Sequence, residues 1–234
     1  MTTAGASQVR AIFNLYETTT PAPGFDSFLD GVKHTFAFVE KEPSFVVGQF
    51  HKNLDDGGHF KYAHFANFKD GSFTGFSPNP SPEWLAAIKE GHGEWGHQVR
   101  HPGGYEEITT WSGQPWCPKT QAAENSIFLL AAFKDVPEDF EKEWKSMSGM
   151  NVVAESLPAT VSLNEAGLFR KLGGKTPLNY ILRVELLPGS PGADDGVSDV
   201  LGSLEGIRST LSQSGSPLVD IGAYKIIVVT KPQQ

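Results

Sequence analysis

Residues 44–70, SFVVGQFHKNLDDGGHFKYAHFANFKD, decide the fold. Ser44 to Lys52 and Phe60 to Lys69 are rich in β-branched and aromatic residues, and the Asp-Asp-Gly-Gly run at 55–58 between them is strong turn chemistry. The two runs read as a hairpin. Centring the pairing on that turn sets His51 near Tyr62 and Gln49 near His64 on one face, which Phe60 and Phe68 share. Lys61, Ala63, Phe65 and Asn67 then take the other face. A slip of one residue would separate the two sets, because strand side chains alternate.

Toward the N-terminus, Val9 to Glu17 (VRAIFNLYE) reads as a strand that stops at the Thr/Pro/Gly-rich segment 18–24. Phe25, Phe28, Leu29, Val32, Phe36 and Val39 then recur at helical spacing up to Pro43. Beyond the hairpin, Ser81 followed by Pro82 and Glu83 marks a helix start, continued by Trp84, Leu85, Ile88, His92 and Trp95 and frayed by Gly91, Gly93 and Gly96. Tyr105 to Trp111 (YEEITTW) closes the unit. The order is strand, helix, strand, strand, helix, strand.

Residues 112–125 carry Gly, two prolines and small polar residues, after which the order begins again. The second unit is expected as a strand Ile127–Phe133, a helix Pro137–Ser148, strands around Val152–Leu163 and Asn179–Leu187, a helix through Val200, Leu204, Ile207 and Leu211, and a last strand Ala223–Thr230. A βαββαβ unit covers one sheet face with its helices and leaves the other bare. Two units in one chain can cover each other. The expected fold is therefore α+β, with ferredoxin-like repeats at 1–111 and 126–234 and a linker at 112–125, the two sheets closing an intrachain dimeric α+β barrel.

Composition sets the outer limits. The 234 residues are 39% hydrophobic and 20% charged, enough apolar surface to fold, and the net charge of −8 opposes a surface built for phosphate, so nucleic acid is not an expected partner. The single cysteine, Cys117, allows no intrachain disulfide and no cysteine metal cage. No signal pattern opens the chain and no apolar run reaches bilayer length, so the expectation is a cytoplasmic protein without a membrane span. A second copy of the chain is the candidate protein partner.

All 7 histidines lie between His34 and His101, which assigns any imidazole chemistry to the first half. His51 and His64 are the candidate catalytic groups, since a histidine can donate or accept a proton near working pH. Each can equally be a hydrogen-bonded histidine in a polar part of the sheet. Asn14, Gln49, Phe60, Tyr62, Phe68 and Trp84 are the candidate substrate contacts; Asn14, an amide in mid-strand, needs partners if buried. Trp84, Ile88 and Trp95 also read as plain core. His92, His97 and His101 cross a helix end and lack a completing ligand pattern, so no metal is expected. Arg100, Glu106 and Glu107 read as solvated. No phosphate loop, GxSxG or CxxC motif is present.

On the His51-Lys52 pair, the Asp/Gly turn and His64-Phe65-Ala66-Asn67-Phe68, the hairpin resembles the antibiotic biosynthesis monooxygenase family of the dimeric α+β barrel superfamily. The resemblance covers about the first 110 residues, and the second half is similar to the superfamily in element order. It implies an aromatic or polyketide-like substrate held between sheet and helices, and oxidation by dioxygen without metal or flavin. His64 and Phe68 stand where that family carries Asn and Trp, so cyclase, isomerase or lyase chemistry stays open beside oxygenation. Two further readings are a non-catalytic barrel that binds a hydrophobic ligand, and a haem enzyme. The resemblance would place an axial histidine for haem in the second half, which has none. No cofactor is expected.

Overall fold

The computed structural model describes residues 10–93, 100–116, 125–173, 176–189 and 195–233. The first half runs β1 (Arg10–Tyr16), α1 (Phe28–Val39), β2 (Phe45–Asn53), β3 (Tyr62–Phe68), α2 (Pro82–His92) and β4 (Arg100–Thr110). The second runs β5 (Ile127–Phe133), α3 (Trp144–Met147), α4 (Met150–Ser156), β6 (Val161–Gly173), β7 (Tyr180–Pro188), α5 (Asp195–Gln213) and β8 (Leu218–Thr230).

Each half forms an antiparallel sheet of ferredoxin-like order, β4-β1-β3-β2 and β8-β5-β7-β6. Pairing of β2 with β8 and of β4 with β6 closes the two sheets into one eight-stranded barrel. Closure leaves no free sheet edge to template association. Alternation along the strands divides the side chains. Ala11, Phe13 and Leu15 of β1, Ala63 and Phe65 of β3, Phe128, Leu130 and Ala132 of β5, Phe169 of β6 and Tyr224 of β8 fill the barrel interior. Ile127, Leu129, Ala131 and Phe133 point the other way, into a core shared with Phe140, Trp144, Met150, Leu204 and Leu211.

Local chemistry starts the helices where the sequence signals them. Ser27 and Ser81 accept from the backbone N–H of Asp30 and Trp84, each at 3.2 Å, and Pro82 occupies the first turn of α2. α1 buries Phe28, Val32, Phe36 and Val39 on the sheet. α1 and α2 meet backbone to backbone at Gly31 and Gly91, where a Cβ on Gly31 would stand 2.1 Å from the Gly91 carbonyl oxygen. Glycine is required at that crossing.

Several sequence expectations change. β4 starts at Arg100 rather than Tyr105, because β1 is paired along its whole length, from Arg10 with Glu106 to Tyr16 with Arg100. Pro102 is tolerated there since β6 joins β4 only at Gly104. The run after Gly149, expected as strand from Val152, is the helix α4; burial of Met150 and Val153 at helical spacing overrides the β preference of the valines, and the strand begins at Val161. The expected helix 137–148 is helical only over Trp144–Met147, after turns. Glu106 is not solvated: it is buried and paired with Arg170, while half-buried Glu107 accepts from the Trp116 backbone N–H at 3.2 Å. Trp116, within the expected linker, is itself buried in the barrel interior. Trp95, Gly96, His97 and Cys117 lie outside the described residues.

Candidate functional site

The hairpin register places the two candidate histidines on opposite faces of the sheet. Facing pairs are Gln49 with Phe65, Phe50 with His64, His51 with Ala63 and Lys52 with Tyr62, one residue away from the pairing expected from the turn. The cause is the loop, which is longer than a four-residue turn: the Asn53 backbone N–H donates to the Lys61 carbonyl at 3.0 Å, and the Asn53 side chain caps both ends, accepting from the Asp55 N–H and donating to the Phe60 carbonyl. Gln49 and His51 consequently face the barrel interior. Tyr62, His64 and Phe68 face the helices. The expected single face shared by Gln49, His51, Tyr62 and His64 does not form.

Under α1 and α2, His64 is 5% exposed. Asn14, directly opposite on β1, donates from Nδ2 to His64 Nδ1 at 2.9 Å, so the neutral ring carries its proton on Nε2. That Nε2 meets no hydrogen-bond partner among the described residues. Burial pushes the imidazole down to about 3, so it is uncharged at neutral pH. Around it stand Phe36, with ring centroid 4.4 Å away, then Phe50, Tyr62 stacked on Phe50 at 5.3 Å, Phe28, and Tyr16. His92, at the C-terminal end of α2, lies 5.9 Å from the Tyr16 ring. Phe68 and Trp84 belong to a separate cluster on this face: Phe68 stacks on Phe73 at 4.6 Å, and Trp84 packs on Phe73 and Phe38.

Inside the barrel, His51 is wholly buried, with Nδ1 donating to the Ala63 carbonyl at 3.3 Å and its ring edge-on to Phe128. Burial, then the nearby Arg183 charge, holds its pKa well below the ordinary value. Arg183 lies 4.2–4.4 Å from the rings of Phe65, Trp116 and Phe128 and donates from Nη2 to Gln49 Oε1 at 2.7 Å. Phe60 sits at the barrel rim with its ring against His59 and His101, both of which meet the Glu17 carboxylate. No group of three metal-ligating side chains occurs among the described residues.

The eight sequence candidates thus fall into three places: Asn14, Tyr62 and His64 together; Gln49 and His51 in the interior with Phe60 at its rim; Phe68 and Trp84 in core. Sequence reasoning missed Phe36 against His64, and the Tyr16–His92 ring contact on the same face of the sheet. Tyr16 shares the parity of Asn14 on β1, the one signal that could have found it. It also missed Arg183, a charge in the middle of the apolar run YILRVELL.

A family model described as "Domain of unknown function (DUF7153)" matches residues 45–209. The chain belongs to that family. The matched segment of this DUF7153 member begins at β2 and ends within α5, so it runs through both halves. No curated protein matches the chain by sequence. Among solved structures, it is similar to a candidate monooxygenase of Fusobacterium nucleatum, with 9% identity, coverage of 97% of this chain and 95% of that one, and a TM-score of 0.52. An anthrone oxidase-like protein gives 12% identity, coverage of 97% and 95%, and a TM-score of 0.52. A candidate chlorite dismutase gives 10%, 95% and 96%, and 0.53. At these identities the likeness shows the fold, a dimeric α+β barrel within one chain.

Haem does not fit the C-terminal half. The space between its sheet and helices is filled by Phe140, Trp144, Met150, Val153, Leu204, Ile207 and Leu211, and it offers no imidazole.

Proposed function

We propose that the chain is a cofactor-independent enzyme acting on an aromatic, oxygen-bearing small molecule held between the N-terminal sheet and helices α1 and α2, with His64 as its polar contact. In this reading the C-terminal half is the structural partner that closes the barrel. The observation that carries the proposal is His64 Nε2, a buried donor without a partner on a ring fixed from behind by Asn14. A buried polar group left unpaired costs about 1–3 kcal/mol, so such groups are scarce where nothing binds. The rings of Phe28, Phe36, Phe50 and Tyr62 exclude water and offer flat apolar surface.

The tautomer assigns His64 a narrower role than proton acceptor. Its Nε2–H would donate to the substrate oxygen and stabilise negative charge developing there as a phenol, or a C–H conjugated with a carbonyl, loses its proton. His92, the second imidazole of this face, is the group to receive that proton. For an anthrone, the resulting anion gives electrons to dioxygen: the ring CH2 becomes C=O, and dioxygen supplies that oxygen and leaves its other atom as water. The anthrone oxidase-like neighbour makes this substrate class the first to try. Binding without turnover is the second reading, favoured by the low pKa of His64, which leaves the neutral ring unable to take up a second proton at neutral pH.

The test is turnover of anthrone to anthraquinone in air, with binding followed by quenching of protein fluorescence. Wild type is expected to accelerate the reaction saturably and His64→Ala to lose at least tenfold in kcat/KM. Saturable binding without acceleration selects the second reading. Equal binding and turnover by wild type and His64→Ala would refute the site.

A further inference from the structure

The opposite face of the same sheet holds polar groups that the proposed chemistry does not use. His51 is fully buried and its Nε2 meets no partner among the described residues; Asn67, 1% exposed, has neither amide atom paired. Both stand on strand positions that face the barrel interior, His51 opposite Ala63 and Asn67 opposite Val47. Four residues of β2 separate the two levels, about 13 Å by strand rise. Between them Gln49 holds Arg183 across from the other half.

We infer that the barrel interior binds small neutral hydroxylic molecules, water or a short alcohol, whose O–H donates to His51 Nε2. The class follows from the atoms. A carbonyl oxygen only accepts, so the His51 Nδ1 that meets Ala63 carries the ring proton and Nε2 presents a lone pair. An anion brings no proton to that lone pair. A cation is opposed by Arg183, whose charge acts on His51. A hydroxyl donates to Nε2 and keeps its own oxygen free to accept in turn. Asn67, with both its amide nitrogen and its amide oxygen to satisfy, selects the same chemistry at the second level. An apolar guest would leave both side chains unpaired.

The two histidines therefore work in opposite senses through one sheet. His64 offers a donor to the helix side and His51 an acceptor to the barrel side. Because the faces are separate, this inference stands or falls independently of the proposed function.

The experiment is nitrogen and proton NMR of the full chain labelled at histidine, with nuclear Overhauser transfer from water and from added methanol. His51 is expected in the Nδ1–H form with a cross-peak from a long-lived guest to its ring, absent in His51→Leu and in any unfolded control. A water cross-peak that methanol does not displace identifies water as the guest; displacement by methanol identifies a site that takes alcohols. His51 in the Nε2–H form, or a ring with no cross-peak from either molecule, would overturn the inference. Should His51→Leu not fold, the wild-type spectra alone decide.

Discussion

Removing the His64 imidazole should change how acid unfolds the protein, and the size of the change follows from burial. The ordinary value of 6.5 applies in the unfolded chain, and in the folded chain the ring lies at about 3. Because the folded value is the depressed one, the unfolded state takes up the proton first. This contribution is therefore absent above pH 6.5 and grows as a loss of stability while pH falls toward 3. Each pH unit crossed in that window costs roughly 1.4 kcal/mol, so about 3 kcal/mol is lost from this group between pH 7 and pH 4. In urea titrations at a series of pH values, His64→Gln should fall less steeply than wild type, with the two curves converging by about 3 kcal/mol at pH 4. His51 is also held low, chiefly by burial and then by Arg183, in both proteins, and loss of the smaller His64 contribution moves it in the same direction, toward a shallower acid loss in His64→Gln. Parallel curves would show that His64 titrates normally and is not buried neutral under α1.

Other substitutions probe the supports of the site and of the barrel. Asn14→Leu strands His64 Nδ1 and should lower stability by about 1–3 kcal/mol, with His64 no longer held in the Nε2–H form in nitrogen NMR; an unchanged tautomer would show that Asn14 does not set it. Gly31→Ala drives a Cβ against the Gly91 carbonyl and should cost roughly 1–3 kcal/mol, a Tm lower by several degrees in a circular dichroism melt; an unchanged Tm would mean α1 and α2 do not cross there. Trp116→Ala empties part of the wall around Arg183 and should cost about 3–5 kcal/mol in urea unfolding, whereas a midpoint equal to wild type would place the indole outside the barrel.

How much of this was legible in the sequence depends on the kind of signal. The first-half helices announce themselves through Ser27 and Ser81 caps and the spacing of Phe28, Val32, Phe36 and Val39, all local features. The repeated element order, with one face of each sheet needing a cover, carried the barrel. Register did not come through. The turn chemistry at 55–58 is real, but the Asn53 side chain bonds lengthen the loop, and a shift of one residue moved Gln49 and His51 to the other face. Phe68 and Trp84 looked like pocket walls because face parity is visible in sequence and position along the strand is less so; their partner Phe73 comes from the connection after β3. The valines of α4 were misread as strand because their helical burial depends on α5, distant in sequence. Asn14, read as a mid-strand amide that needs a partner if buried, is half-buried and donates to His64.

The proposed chemistry requires an aromatic ligand to bind against His64. The direct measurement is a crystal structure of the full chain with anthraquinone, the end product of the proposed oxidation. The predicted result is the ligand between the N-terminal sheet and α1, with Phe36 swung aside and a quinone oxygen accepting from His64 Nε2. Ligand bound only elsewhere, as in the cleft of about 460 Å³ lined by Leu54, Asp55, Asp56, Leu201, Glu205 and Arg208, with the Phe36–His64 contact unchanged, would contradict it.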